Sequence, residues 1–101
     1  RDFTCVDNVV DANLAALVAP VAMGQVYNIG TGRGVTVNEL VAALNQTLGS
    51  DLQPRHGESR TGDVRVSIAD IGLARQDLGY EPRVSFEQGL EQTVNWMRHP
   101  E

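Results

Sequence analysis

Lysine is missing altogether. All eight basic residues of the 101-residue chain are arginine. Chemistry built on a lysine amine is excluded, including Schiff-base catalysis and the P-loop of nucleoside triphosphatases. Cysteine occurs once, as Cys5, so no internal disulfide forms and no cysteine cluster is offered to a metal. A lone thiol suits a cytoplasmic setting. The two histidines, His56 and His99, have no partners at metal-ligand spacing. Positive charge is scarce: thirteen acidic residues outweigh the arginines and leave a net charge of −5. A nucleic-acid-binding face needs clustered cations to displace counterions, so no nucleic-acid partner is expected. No apolar run approaches the ~20 residues that cross a bilayer, and no membrane partner is expected.

What is present describes a folded chain. Hydrophobic residues make up 42% and charged residues 21%, near the globular average. The length suits one domain, 1–101. The chain opens at Arg1 inside an extended run, which reads as a segment of a longer protein.

Arg1 to Val6 reads as a short strand. Asp7 stands where an N-cap would, ahead of a helix at about 8–19 with Val9, Val10, Leu14 and Leu17 at helical spacing. Gln25 to Ile29 reads as a second strand. Thr36 and Glu39 form a capping box for a helix at 37–48, closed by Gly49. Val37, Leu40, Val41, Leu44 and Leu48 make its apolar stripe. Asp51 to Val66 is a polar stretch without periodicity, the pattern of a functional or disordered loop. Asp70 would cap a short helix to Leu78, and Tyr80 to Val84 is extended. Ser85 and Gln88 form a second capping box, for a helix carrying Phe86, Leu90, Val94 and Met97. Strands alternating with helices predict an α/β fold: short parallel strands with about four helices and an uncovered sheet edge through which copies could self-associate.

Two motifs invite chemistry. Gly30-Thr31-Gly32-Arg33-Gly34 begins like a dinucleotide-binding turn, but Val35 fills the sixth place where glycine belongs. A tight turn into the helix is the better reading. Arg60-Thr61-Gly62-Asp63 offers a guanidinium fork matched to phosphate, a glycine bend, and a carboxylate able to accept from a sugar hydroxyl. Alone, that would be a solvated loop.

Four stretches together carry a family resemblance: RDFTCVDNVVDA (1–12), VYNIGTGRGVTVNELV (26–41), RTGDVRVSIADIGLARQDLGYEP (60–82) and VSFEQGLEQTVNW (84–96). The chain resembles the C-terminal, substrate-binding part of an extended short-chain dehydrogenase/reductase, among the NAD-dependent nucleotide-sugar epimerases and dehydratases. UDP-glucose and UDP-N-acetylglucosamine 4-epimerases are the nearest in pattern. The resemblance implies a whole enzyme in which a Rossmann domain binds NAD, with hydride removed from and returned to the sugar C4. A 4,6-dehydratase, a decarboxylase or a free-standing, non-catalytic binding module are the alternatives. The family's Tyr-x-x-x-Lys pair has no counterpart here: Thr31 and Val84 stand four residues after Tyr27 and Tyr80. No catalytic residue and no NAD-binding residue is therefore expected in this segment, the Rossmann domain being absent from it. What the resemblance implies instead is one wall of a nucleotide-sugar pocket. Arg1 and Arg60 match the arginines that contact the diphosphate, and Asp63 matches the carboxylate that binds the ribose. The family usually has an aromatic or histidine where Cys5 stands, and often aspartate in place of Asn8.

Overall fold

The computed structural model describes residues 1–100. Four α-helices and one short 3-10 turn make up its regular structure: α1 (Val6–Val18), the turn Pro20–Ala22, α2 (Val37–Leu48), α3 (Gly72–Leu78) and α4 (Phe86–Arg98). The α/β expectation is overturned, because no strand forms among the described residues.

The cause lies in where the backbone groups go. Residues 1–5, 25–29 and 80–84 do run outside the helices, yet at Val84 a side chain takes the bonds that a ladder would use, and among the described residues no strand pairs with 25–29. Asn8 is fully buried. Its amide nitrogen donates to the Val84 carbonyl at 2.8 Å, and its oxygen accepts from the Val84 amide at 3.0 Å. The Asp2 carboxylate accepts from the amides of Thr31, Gly32 and Ala69. Among the described residues, only Arg1 and Val35 exchange a reciprocal main-chain pair, at 2.8 and 2.9 Å. A single such pair is not a sheet. The expected sheet edge, and self-association through it, fall with the strands.

Helix boundaries follow their caps. Thr36 accepts from the Glu39 amide while the Glu39 carboxylate accepts from the Thr36 amide, and Gly49 ends α2 in the left-handed region at φ 67°. Ser85 and Gln88 repeat the reciprocal arrangement at α4. Cys5, not Asp7, is the N-cap of α1, and Asp7 lies in its first turn. Ile71 caps α3, although the Asp70 carboxylate still accepts from the Gly72 amide at 3.0 Å.

Packing pairs α1 with α3 and α2 with α4. Ala12, Ile71, Ala74 and Tyr80 form the core of the first pair, flanked by Tyr27, Ile29, Ala69 and Leu78. Two tyrosine hydroxyls fasten it: Tyr80 donates to the Gly30 carbonyl at 2.6 Å, and Tyr27 to Asp77 at 2.8 Å. In the second pair the rings of Phe3 and Phe86 meet at 5.8 Å. Asn8 joins the pairs by holding Val84 beside α4.

The face that α1 buries is not the one that carries its large apolar side chains. Asn8 and Ala12 go inside, while Val10, Leu14 and Leu17 are exposed, Leu17 by 81%. Small side chains let α1 approach α3 closely, and the large apolar ones line the outer face. On α2, Val37 at the start of the predicted stripe is exposed as well. The result is flat, 48 × 38 × 20 Å, with a radius of gyration of 16.3 Å. A compact chain of this length would be near ~13 Å. No helix among the described residues is long and apolar enough to cross a membrane.

Candidate functional site

Asp2 organises the region around the glycine-rich turn. Its carboxylate accepts from the Thr31 hydroxyl at 2.5 Å, from the Gly32 amide at 2.9 Å and from the Ala69 amide at 3.3 Å. Burial opposes ionisation, but the Thr31 hydroxyl and the three amides outweigh it, and the carboxyl titrates below its ordinary range. Gly30 is required here: a Cβ would stand 2.6 Å from Asp2 Oδ2 and 2.7 Å from the Ala69 methyl. The turn thus wraps an internal anion. Its Thr31 and Gly32 donors are committed to Asp2, and the residues present do not fit a dinucleotide pyrophosphate at this turn.

Directly beside Asp2, the Arg1 guanidinium reaches across the chain. One nitrogen donates to Asp63 Oδ1 at 2.8 Å, and another to the Val64 carbonyl. Two of the three expected substrate-binding residues, Arg1 and Asp63, are therefore in direct contact. The third, Arg60, lies across a β-turn in which the Asp63 amide donates to the Arg60 carbonyl at 3.3 Å. Gly62 takes the left-handed position of that turn at φ 82°. All residues from 51 to 68 are exposed. His56 ties this loop to α2, its Nε2 lying 2.9 Å from Asn38 Oδ1.

An open groove of about 450 Å³ lies between the loop and the start of α2. Arg1, Asp63 and Arg65 bring charge to it; Val35, Val66 and Ile68 supply apolar surface. Arg60 is not among its lining residues. The N-terminus of α2 adds positive potential from the helix dipole. A concave apolar surface with a few convergent polar groups suits a small polar ligand with a flat apolar part.

Sequence reasoning missed Asp2, Asn8 and Arg65. A Gly-Thr-Gly turn leaves amides that need an anion, and an acidic residue in a neighbouring extended run was the available signal for Asp2. Asn8 had no such signal, since its partner Val84 lies 76 positions away. Cys5 is partly buried and rests against α4, its Sγ 3.6 Å from Gln92 Oε1. Among the described residues, no group of three or more His, Cys, Asp or Glu side chains is placed to hold a metal ion.

No protein-family profile matches the chain. Individual proteins do. The chain is 37% identical over 99 residues to the UDP-glucose 4-epimerase of Mycolicibacterium smegmatis, covering 98% of this chain and 31% of that protein. It is 32% identical over 99 residues to the UDP-glucuronate 4-epimerase of Thermodesulfobacterium geofontis, covering 97% and 30%. Among solved structures, the UDP-glucose 4-epimerase of Thermotoga maritima with UDP-glucose superposes with a TM-score of 0.88 at 47% identity, over 97% of this chain and 31% of that one. The UDP-glucuronic acid 4-epimerase of Bacillus cereus, solved with UDP-4-deoxy-4-fluoro-glucuronic acid and NAD, gives 0.90 at 28% identity, over 100% and 32%. The chain spans about 30% of the length of the curated relatives.

Proposed function

We propose, for a chain that belongs to the nucleotide-sugar epimerase/dehydratase family of extended short-chain dehydrogenase/reductases and matches its C-terminal part, that the groove beside α2 binds the nucleoside diphosphate of a UDP-sugar. The reading rests on one observation above the rest. Arg1 and Asp63, 62 positions apart, meet at the edge of a concave surface. Arginines recognise diphosphate oxygens bidentately, and a carboxylate accepts from ribose hydroxyls. In this reading Arg1 and Arg60 contact the diphosphate and Asp63 the ribose. Binding would exchange the Arg1–Asp63 pair for bonds to ligand. Both partners are substantially solvent-exposed, so the exchange costs little.

The whole enzyme would be a 4-epimerase that uses NAD held by a Rossmann domain outside this segment. The exposed apolar face of α1, around Val10, Leu14 and Leu17, supports that division. A stripe of large apolar side chains is the surface on which a further domain would seat.

Calorimetric titration of the chain with UDP, dTDP and GDP tests the proposal. UDP should bind most tightly, with affinity falling as salt rises, because the contact is between charges. Absence of binding by all three at millimolar concentration would defeat it.

A further inference from the structure

We infer that Arg65 is a third guanidinium of this site, and the one already poised to contact phosphate; the inference rests on the nucleotide-binding reading above. Three arginines lie on or beside the groove, and the structure separates them by what they are doing. Two of the five N–H donors of the Arg1 guanidinium are engaged, one on the Asp63 carboxylate and one on the Val64 carbonyl. Arg60 lies beyond the β-turn and does not line the groove. Arg65 lines the groove. It makes no hydrogen bond or ion pair to the other described residues.

The order along the chain explains this placement. Arg1 grips two successive residues, Asp63 and Val64. The loop is therefore anchored immediately before Arg65, which fixes where its backbone stands while leaving its side chain uncommitted. Across the groove, the Thr36 hydroxyl and the Glu39 carboxylate are occupied by the capping box of α2. The arrangement offers an anion one free planar fork next to an apolar surface. A nucleoside diphosphate has those two parts: a flat base, and phosphates that accept bidentately.

The test compares UDP with uridine, which shares the base and ribose but has no phosphate. Both are titrated into the wild-type chain, Arg65→Ala, Arg65→Lys and Arg60→Ala, with far-UV circular dichroism to confirm the helices. Arg65→Ala should weaken UDP by about tenfold or more while leaving uridine unchanged, equivalent to at least ~1.4 kcal/mol. Arg65→Lys should recover part of the loss, because charge returns without the planar fork. Wild-type affinity for UDP in Arg65→Ala would overturn the assignment, and so would an equal loss for uridine. If Arg60→Ala alone lost affinity, the nucleotide reading would stand and Arg65 would be wrong. A wild-type chain that binds no UDP would defeat both.

Discussion

Replacing Asp2 by asparagine keeps the size of the side chain and changes what it can accept. The wild-type carboxylate receives donors on both oxygens: Oδ1 takes the Thr31 hydroxyl, and Oδ2 takes the Gly32 and Ala69 amides. Asparagine has one oxygen. With that oxygen toward the Gly32 and Ala69 amides, the NH₂ faces the Thr31 hydroxyl, which must turn from donor to acceptor; with the amide turned the other way, the NH₂ faces those two amides and they lose their acceptor. A hydrogen bond to a charged group is worth about 1.5–3 kcal/mol, and a stranded buried donor costs about 1–3 kcal/mol. Asp2 is only partly buried, so water recovers some of this, and Asp2→Asn should lose about 2–4 kcal/mol. Against the ~5–15 kcal/mol stability of an ordinary domain, that is a large fraction.

The pH dependence supplies the sharper test. Asp2 titrates below its ordinary range. A carboxyl with a depressed native pKa contributes stability that is present above the unfolded value, ~3.9. That contribution is lost as pH falls through the lower native value. The wild-type chain therefore loses the Asp2 contribution in acid, while the variant has none to lose. Urea unfolding followed by circular dichroism at pH 7 and at pH 3 should show the gap between the two proteins shrinking in acid. A gap below about 0.5 kcal/mol at pH 7, or one that does not change with pH, would refute the view that an ionised Asp2 holds the turn.

Other expectations follow from single contacts. Asn8→Ala leaves the Val84 amide and carbonyl without their side-chain partner and should destabilise by about 2–4 kcal/mol, read from the urea midpoint. Gly30→Ala pushes a methyl to 2.6 Å from Asp2 Oδ2 and 2.7 Å from the Ala69 methyl; overpacking of this kind costs about 1–3 kcal/mol, and the thermal midpoint should drop accordingly. Ser85→Ala removes the acceptor for the Gln88 amide and should cost about 1 kcal/mol, whereas Ser85→Asp, also a good cap, should not. Leu17→Glu on the outer face of α1 alters a residue that is 81% exposed, so stability should change by less than about 0.5 kcal/mol in the same unfolding assay.

Local signals and long-range signals fared differently. The helices were legible because their instructions are local: Thr36 with Glu39, Ser85 with Gln88, and glycines after Leu48 and Leu78. The extended segments were misjudged because a β-former sequence states a preference, while a strand needs a neighbour. Here Asn8 takes the neighbour's role at Val84, and among the described residues no strand pairs with 25–29. The buried face of α1 was not legible for a related reason. Hydrophobic spacing marks Val10, Leu14 and Leu17, yet the contact with α3 uses Ala12, which shares a cluster with Ala74 where small side chains let the two helices come close.

The site shows the same division. Gly62 and its bend were readable from four residues. That Asp63 would meet Arg1 followed from no local pattern, and only the family resemblance paired them. The resemblance named Arg60, which lies beyond the turn, and the lining of the groove adds Arg65. A motif records which residues recur in order, while a groove is defined by which side chains remain free after the fold has used the others. Arg1 shows why that distinction matters: its charge is present in the sequence, but in the folded chain two of its N–H donors are already spent on Asp63 and Val64. Free charge at the groove is therefore a property of the three-dimensional arrangement, and Arg65 is where that property and the sequence coincide.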